Sequence, residues 1–184
     1  MKQLILGGAR SGKSALAEQE ALAGHKPCIY VATAQIFDDE MKARIAVHQQ
    51  RRSQQTTGGQ NWRVCEAPFA LLQTLQQESN EGNCILVDCL GMWLTNLLMD
   101  SSINIRKECD ALIDGITRLP GDIIFVSTLV SMGITPLGEI NRRYIDECGR
   151  LEQSLAVHCD RVRLVVAGLF LDLKNTSSKT EADL

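Results

Sequence analysis

Apolar, β-branched runs recur along the chain at residues 4–6, 28–33, 62–67, 84–89, 122–128 and 161–168. Stretches with helical patterning separate them, near 13–24, 38–52, 68–78, 91–99, 103–118 and 138–158. Runs such as "CILVDC" (84–89) and "DIIFVST" (122–128) are apolar at nearly every position, as strands buried on both faces are. Strands of that kind alternating with helices predict an α/β fold, a mostly parallel sheet with helices on both faces. Two stretches break the alternation. "QQRRSQQTTGGQN" (49–61) is polar and glycine-punctuated and reads as a surface loop, while 175–184 offers no apolar anchor and reads as a disordered tail. A single domain over 1–174 is expected.

Composition narrows this picture. With 184 residues, 45% of them hydrophobic, the chain suits one domain with a full core. The net charge of −3 and the absence of a basic run speak against a nucleic-acid partner. No apolar run reaches membrane-spanning length and no signal-peptide pattern opens the chain, so no membrane span and a cytoplasmic location are expected. The seven cysteines (28, 65, 84, 89, 109, 148 and 159) include no C-x-x-C pair and sit mostly in apolar or helical stretches. They read as reduced, buried thiols rather than as a zinc site or a disulfide framework.

The chemistry begins at the first apolar run. "LILGGARSGKS" (4–14) places Gly7-x-x-x-x-Gly12-Lys13-Ser14 between a short strand and a helix, the order in which a phosphate-binding loop is built. Glycines at those positions let successive backbone N–H groups turn inward around an anion. Lys13 would reach the outer phosphates, the Ser14 hydroxyl would meet Mg²⁺, and the helix N-terminus favours negative charge. The whole loop, Gly7, Gly8, Ala9, Arg10, Ser11, Gly12, Lys13 and Ser14, is expected to cradle a nucleoside triphosphate.

Two further stretches carry candidate groups. Asp88 ends the run "CILVD", where an aspartate either holds Mg²⁺ near a phosphate loop or caps the next helix. In "DDEMKARIAVHQQRR" (38–52), Arg44, His48 and Arg51 or Arg52 share one helical face. A neutral imidazole there is able to attack phosphorus near pH 7, but the spacing alone fits a basic solvated face better. His25 and His158 read as structural or solvent-facing.

"GGARSGKS", "YVATAQIFDDEMKARIAVH", "ILVDCLGMWLTNLL" and "SMGITPLGEINRRYIDECGRLEQSLA" followed by "VRLVVAGL" together resemble one family, in the same order, from residue 1 to about 174. It is the bifunctional adenosylcobinamide kinase/adenosylcobinamide-phosphate guanylyltransferase family of cobalamin biosynthesis. The resemblance implies a P-loop NTPase fold of the RecA-like kind, a homotrimer, and two reactions. Adenosylcobinamide would first be phosphorylated at its aminopropanol hydroxyl by ATP or GTP. A histidine would then take GMP from GTP and pass it to the new phosphate, giving adenosylcobinamide-GDP. By position, His48 matches the guanylylated histidine, and Gln49, Gln50, Arg51 and Arg52 match the GTP-contacting stretch after it. Ala32, Thr33 and Ala34 match a nucleotide-contacting turn, and Glu66 and Asp88 match further GTP-site acids.

The chain departs from that family at three places. Val47 precedes His48 where a second histidine is common, and the loop 49–61 is longer than usual. "STLVSMG" (127–133) stands for "SNEVGMG", so Thr128, Leu129 and Ser131 replace an asparagine, a glutamate and a glycine. Two other readings follow: guanylyl transfer with a weakened kinase step, or a nucleotide-binding switch or assembly protein without turnover.

Overall fold

A computed structural model describes residues 1–35, 62–133 and 136–176, and within the segment between the first two only Asp39, Ala43, Ile45, Ala46, Val47 and Gln50. Seven strands form one sheet in the order β3-β2-β4-β5-β1-β6-β7. They are β1 (Lys2–Gly7), β2 (Cys28–Ala32), β3 (Arg63–Glu66), β4 (Cys84–Asp88), β5 (Asp122–Thr128), β6 (Arg161–Val166) and β7 (Leu169–Asn175). All neighbours pair in parallel except β6 and β7, which form an antiparallel hairpin. Five helices are described: α1 (Lys13–Ala23), α2 (Leu71–Glu78), α3 (Leu90–Met99), α4 (Ile105–Ile116) and α5 (Glu139–His158). None of them is long and apolar enough to cross a membrane.

The strand pattern explains the layering. Alternate residues of β1, β2, β4 and β5 go to opposite faces, and both faces are apolar. Ile5, Tyr30, Leu86, Ile124 and Val126 pack under α1. Leu4, Val31, Ile85, Val87, Ile123 and Phe125 pack on the other side with residues of α2, α3, α4 and α5, around the fully buried Trp93. The helices thus cover both faces of a mostly parallel sheet, as the alternation of runs predicted.

β7 is the element that the apolar pattern did not predict. It closes the edge beside β6, and Asn175, its last residue, pairs with Arg161. The rest of the expected tail, 177–184, lies outside the described residues, as do most of the expected helix 38–52 and all of the loop 49–61 except Gln50, which is helical. The cysteines are all free. Burial alone pushes Cys28 up to about 11; burial first, then Cys28 and Asp122, pushes Cys84 to about 12, and burial first, then Glu147 and Asp110, does the same to Cys109.

Candidate functional site

β1 delivers Gly7 to the C-terminal edge of the sheet, and residues 8–12 turn the chain into α1. The turn needs two residues at positive φ, Arg10 at 58° and Gly12 at 99°. The Ser11 N–H closes it on Gly8 O at 3.2 Å. Gly12 is the N-cap of α1 and, lacking a side chain, gives the first-turn amides no side-chain acceptor. A helix end left this way is a receptor for an anion. Lys13 is 9% exposed and lays its ammonium on Gly8 O at 3.1 Å, over the loop it would serve. Ser14, half-buried, is the second residue of the helix.

The loop has a brace that its motif does not reveal. Ala167 and Gly168, with φ of 52° and 79°, form the tip of the β6–β7 hairpin. The Gly168 N–H donates to Ser11 O at 2.8 Å, and its Cα lies 3.3 Å from where a Cβ on Gly12 would stand. The only available sequence signal was "VVAGLFL", a small pair between apolar runs, of the kind that turns a two-residue hairpin.

On the other side of the loop, the ends of β3, β2 and β4 bring three candidates into one rank. Glu66 and Asp88 are both Cα partners of Ala32. Side chains of partnered residues in a parallel sheet share a face. The pair one step earlier on that face, Tyr30 and Leu86, belongs to the cluster under α1. The rank therefore faces the side on which Ser14 begins its helix. β5 separates β4 from β1, so the Asp88 strand and the loop strand stand about 10 Å apart, two strand spacings. Crevices of this kind, at the C-terminal ends of α/β strands, are where such folds bind ligands.

The alternative of Asp88 as a helix cap does not hold. The N-cap of α3 is Cys89, whose side chain makes no capping bond. One Asp88 oxygen instead accepts the Tyr30 hydroxyl at 3.0 Å. Burial, and then the Asp88 charge, push Cys89 up to about 11. A raised thiol of this kind disfavours the thiolate form beside the rank.

Thr33 serves the framework. It is fully buried, and its hydroxyl donates to Cys89 O at 2.7 Å. Asn96 on α3 then donates to Thr33 O at 2.7 Å and to Pro68 O at 2.8 Å, tying the exits of β2 and β3 to one helix. The rest of this turn presents its backbone and the half-buried Ala32 and Ala34.

The unusual turn "STLVSMG" lies against the phosphate loop. Thr128 is the Cα partner of Gly7, and the Leu129 N–H donates to Gly7 O at 3.0 Å. His48, Gln49, Arg51 and Arg52 lie outside the described residues; Gln50 is helical and exposed. His25 and His158 are both exposed, as expected.

A family model for cobinamide kinase / cobinamide phosphate guanyltransferase matches residues 3–173. The bifunctional adenosylcobalamin biosynthesis protein CobP of Pseudomonas aeruginosa is 49% identical over 175 residues, covering 95% of this chain and 98% of that protein. The bifunctional CobU proteins of Escherichia coli and Salmonella typhimurium are 35% and 36% identical, each aligned over 95% of this chain and 100% of its own length. Among solved structures, the flagellar accessory protein FlaH of Methanocaldococcus jannaschii aligns with a TM-score of 0.52 at 13% identity, over 99% of this chain and 81% of that one. Pyrococcus horikoshii PH0250 aligns with a TM-score of 0.59 at 8% identity, over 97% and 88%. Likenesses so remote in sequence speak for the fold alone.

Proposed function

Because this chain belongs to the cobinamide kinase / cobinamide phosphate guanyltransferase family, we propose that it carries out both of that family's reactions at the C-terminal edge of its sheet. In the first, the γ-phosphoryl group of ATP or GTP passes to the aminopropanol hydroxyl of adenosylcobinamide. In the second, His48 attacks the α-phosphorus of GTP. A nitrogen–phosphorus bond forms, the bond to the bridging oxygen breaks, and pyrophosphate leaves. An oxygen of adenosylcobinamide phosphate then attacks the same phosphorus and frees the histidine, giving adenosylcobinamide-GDP. The observation that carries the reading is the uncapped, hairpin-braced phosphate loop standing beside the Glu66–Ala32–Asp88 rank.

Each group has a physical task. The first-turn amides of α1 bind and orient the phosphates, and Lys13 leaves Gly8 O to add its charge to them. Glu66 and Asp88, with Gln49, Gln50, Arg51 and Arg52, complete the GTP site. Ser14 and Asp88 would hold Mg²⁺, since a hydroxyl and a carboxylate are the hard oxygen donors that this ion takes. Among the described residues no three His, Cys, Asp or Glu side chains cluster. Mg²⁺ ordinarily keeps waters and borrows phosphate oxygens rather than sitting in an all-protein cage. When bound, it supplies charge neutralisation at the phosphates. A homotrimer working in the cytoplasm completes the proposal.

Radiolabelled GTP tests it. Label at the α-phosphorus should remain on the protein as an acid-labile adduct, and His48→Asn should abolish that adduct while γ-label still reaches adenosylcobinamide. An equal adduct on wild type and variant would remove His48 from the mechanism. Reversible binding with neither an adduct nor γ-label transfer would leave only a switch or assembly role. A second reading, guanylyl transfer with a weakened kinase step, draws on Leu129, an apolar side chain on the residue whose N–H holds Gly7 O. In that case the α-label adduct forms normally and γ-label transfer is slow.

A further inference from the structure

The structure assigns Tyr30 the role of a positioning residue for Asp88, an inference that rests on the reading of Asp88 as a metal-site carboxylate. Tyr30 lies in the middle of β2, 5% exposed, and its Cα partner is Leu86. Asp88 is two residues further along β4, on the same face. The phenol ring therefore lies along the sheet and carries its hydroxyl up to the carboxylate, donating to Oδ2 at 3.0 Å.

Two features make this more than a packed tyrosine finding a partner. The ring is gripped from the side: Trp62 meets it edge-on, with centroids 6.1 Å apart and planes at 87°. A ring held between Trp62 and the apolar floor of Cys28, Cys84 and Leu86 has little freedom to swing its hydroxyl elsewhere. The acceptor, moreover, is a charged group at the working edge of the sheet. At 3.0 Å the bond is an ordinary one, and its use is directional: it holds one carboxylate oxygen, Oδ2, toward β2. Groups that orient metal-binding carboxylates from behind govern affinity for the ion without touching it. Tyr30 supplies that support from a neighbouring strand, and Trp62, directly following residues 51–61, holds the support in line.

The probe is Mn²⁺, followed by electron paramagnetic resonance on the full chain with a non-hydrolysable GTP analogue. Tyr30→Phe keeps the ring and its contact with Trp62 and removes only the donor. The expected result is Mn²⁺ affinity lower by about 10-fold or more, with metal-free binding of the analogue and a cooperative thermal melt retained. Asp88→Asn should weaken Mn²⁺ binding on its own, and adding Tyr30→Phe to it should cost nothing further, because the two act as one unit. Unchanged Mn²⁺ affinity in Tyr30→Phe, with Asp88→Asn impaired, overturns the positioning role and leaves the site intact. Equal, additive losses from the two substitutions also overturn it. Unchanged affinity in Asp88→Asn overturns the metal reading itself, and the proposal with it.

Discussion

A Cβ built on Gly7 would stand 2.5 Å from the Ser11 hydroxyl oxygen and 2.7 Å from Val165 O, whereas one on Gly8 would meet nothing within 4 Å. Val165 O belongs to a paired strand and has no room to retreat. Gly7→Ala should therefore destabilise the fold by about 1–3 kcal/mol and weaken triphosphate binding, as overpacking a rigid site does. Gly8→Ala should leave the thermal midpoint near that of wild type, within about 0.5 kcal/mol. Parallel thermal melts and nucleotide titrations of the two variants check the contrast; similar losses would show that the loop relaxes more than its neighbours imply. A second residue titrates. Glu152, 7% exposed on α5, accepts the Ser127 hydroxyl at 2.7 Å, and burial raises its carboxyl above the ordinary 4.5 despite that bond. The folded chain thus holds this proton more tightly than the unfolded chain does. Stability falls as pH climbs from 4.5 through the raised value, and the loss is complete above it. Glu152→Gln keeps the acceptor for Ser127 and removes the charge. Its melting temperature should exceed that of wild type at pH 8, with the gap shrinking as the pH drops toward 4.5. A constant gap across that range would trace the effect to packing rather than to the proton.

At the scale of elements, Asn96 decides how firmly the exits of β2 and β3 are held. Its amide serves two carbonyls, Thr33 O and Pro68 O, and Asn96 itself is 1% exposed. Asn96→Ala leaves both acceptors unserved, which should cost about 1–3 kcal/mol for each that water does not reach. Chemical denaturation gives the total, and hydrogen exchange should show the loss first in residues 32–34 and 67–69. Here too lies the boundary of what the sequence could tell. β1, β2, β4 and β5 were legible because a strand covered on both faces must be apolar throughout. β7 was not, because the small pair Ala167-Gly168 ends the apolar run of β6 and the short run after it, "LFLDL", has no helix alternating with it; its Leu169, Phe170, Leu171 and Leu173 are 76%, 49%, 62% and 55% exposed. The phosphate loop and the strand-end Asp88 could be read from local spacing. The Gly168 brace and the Tyr30 hydroxyl could not, since their partners lie 157 and 58 residues away in the chain.

The whole molecule is organised around β1, which stands between β5 and β6 with the phosphate loop at its end. Only long-range pairings hold it: Lys2 to Gly7 register with Ile123 to Thr128 on one side, and Gln3 to Gly7 with Arg161 to Val165 on the other. Contacts of such sequence separation form late, because the chain must close a long loop before any of them is made. This orders events at the ribosome. The loop segment is translated long before the strand that flanks it and the hairpin tip that steadies Ser11. A nascent chain short of residue 168 carries the motif without the Gly168 N–H that holds Ser11 O. The shape of the loop thus depends on a hairpin tip 157 residues downstream, and truncation before residue 168 should lower nucleotide affinity while leaving the motif itself unchanged.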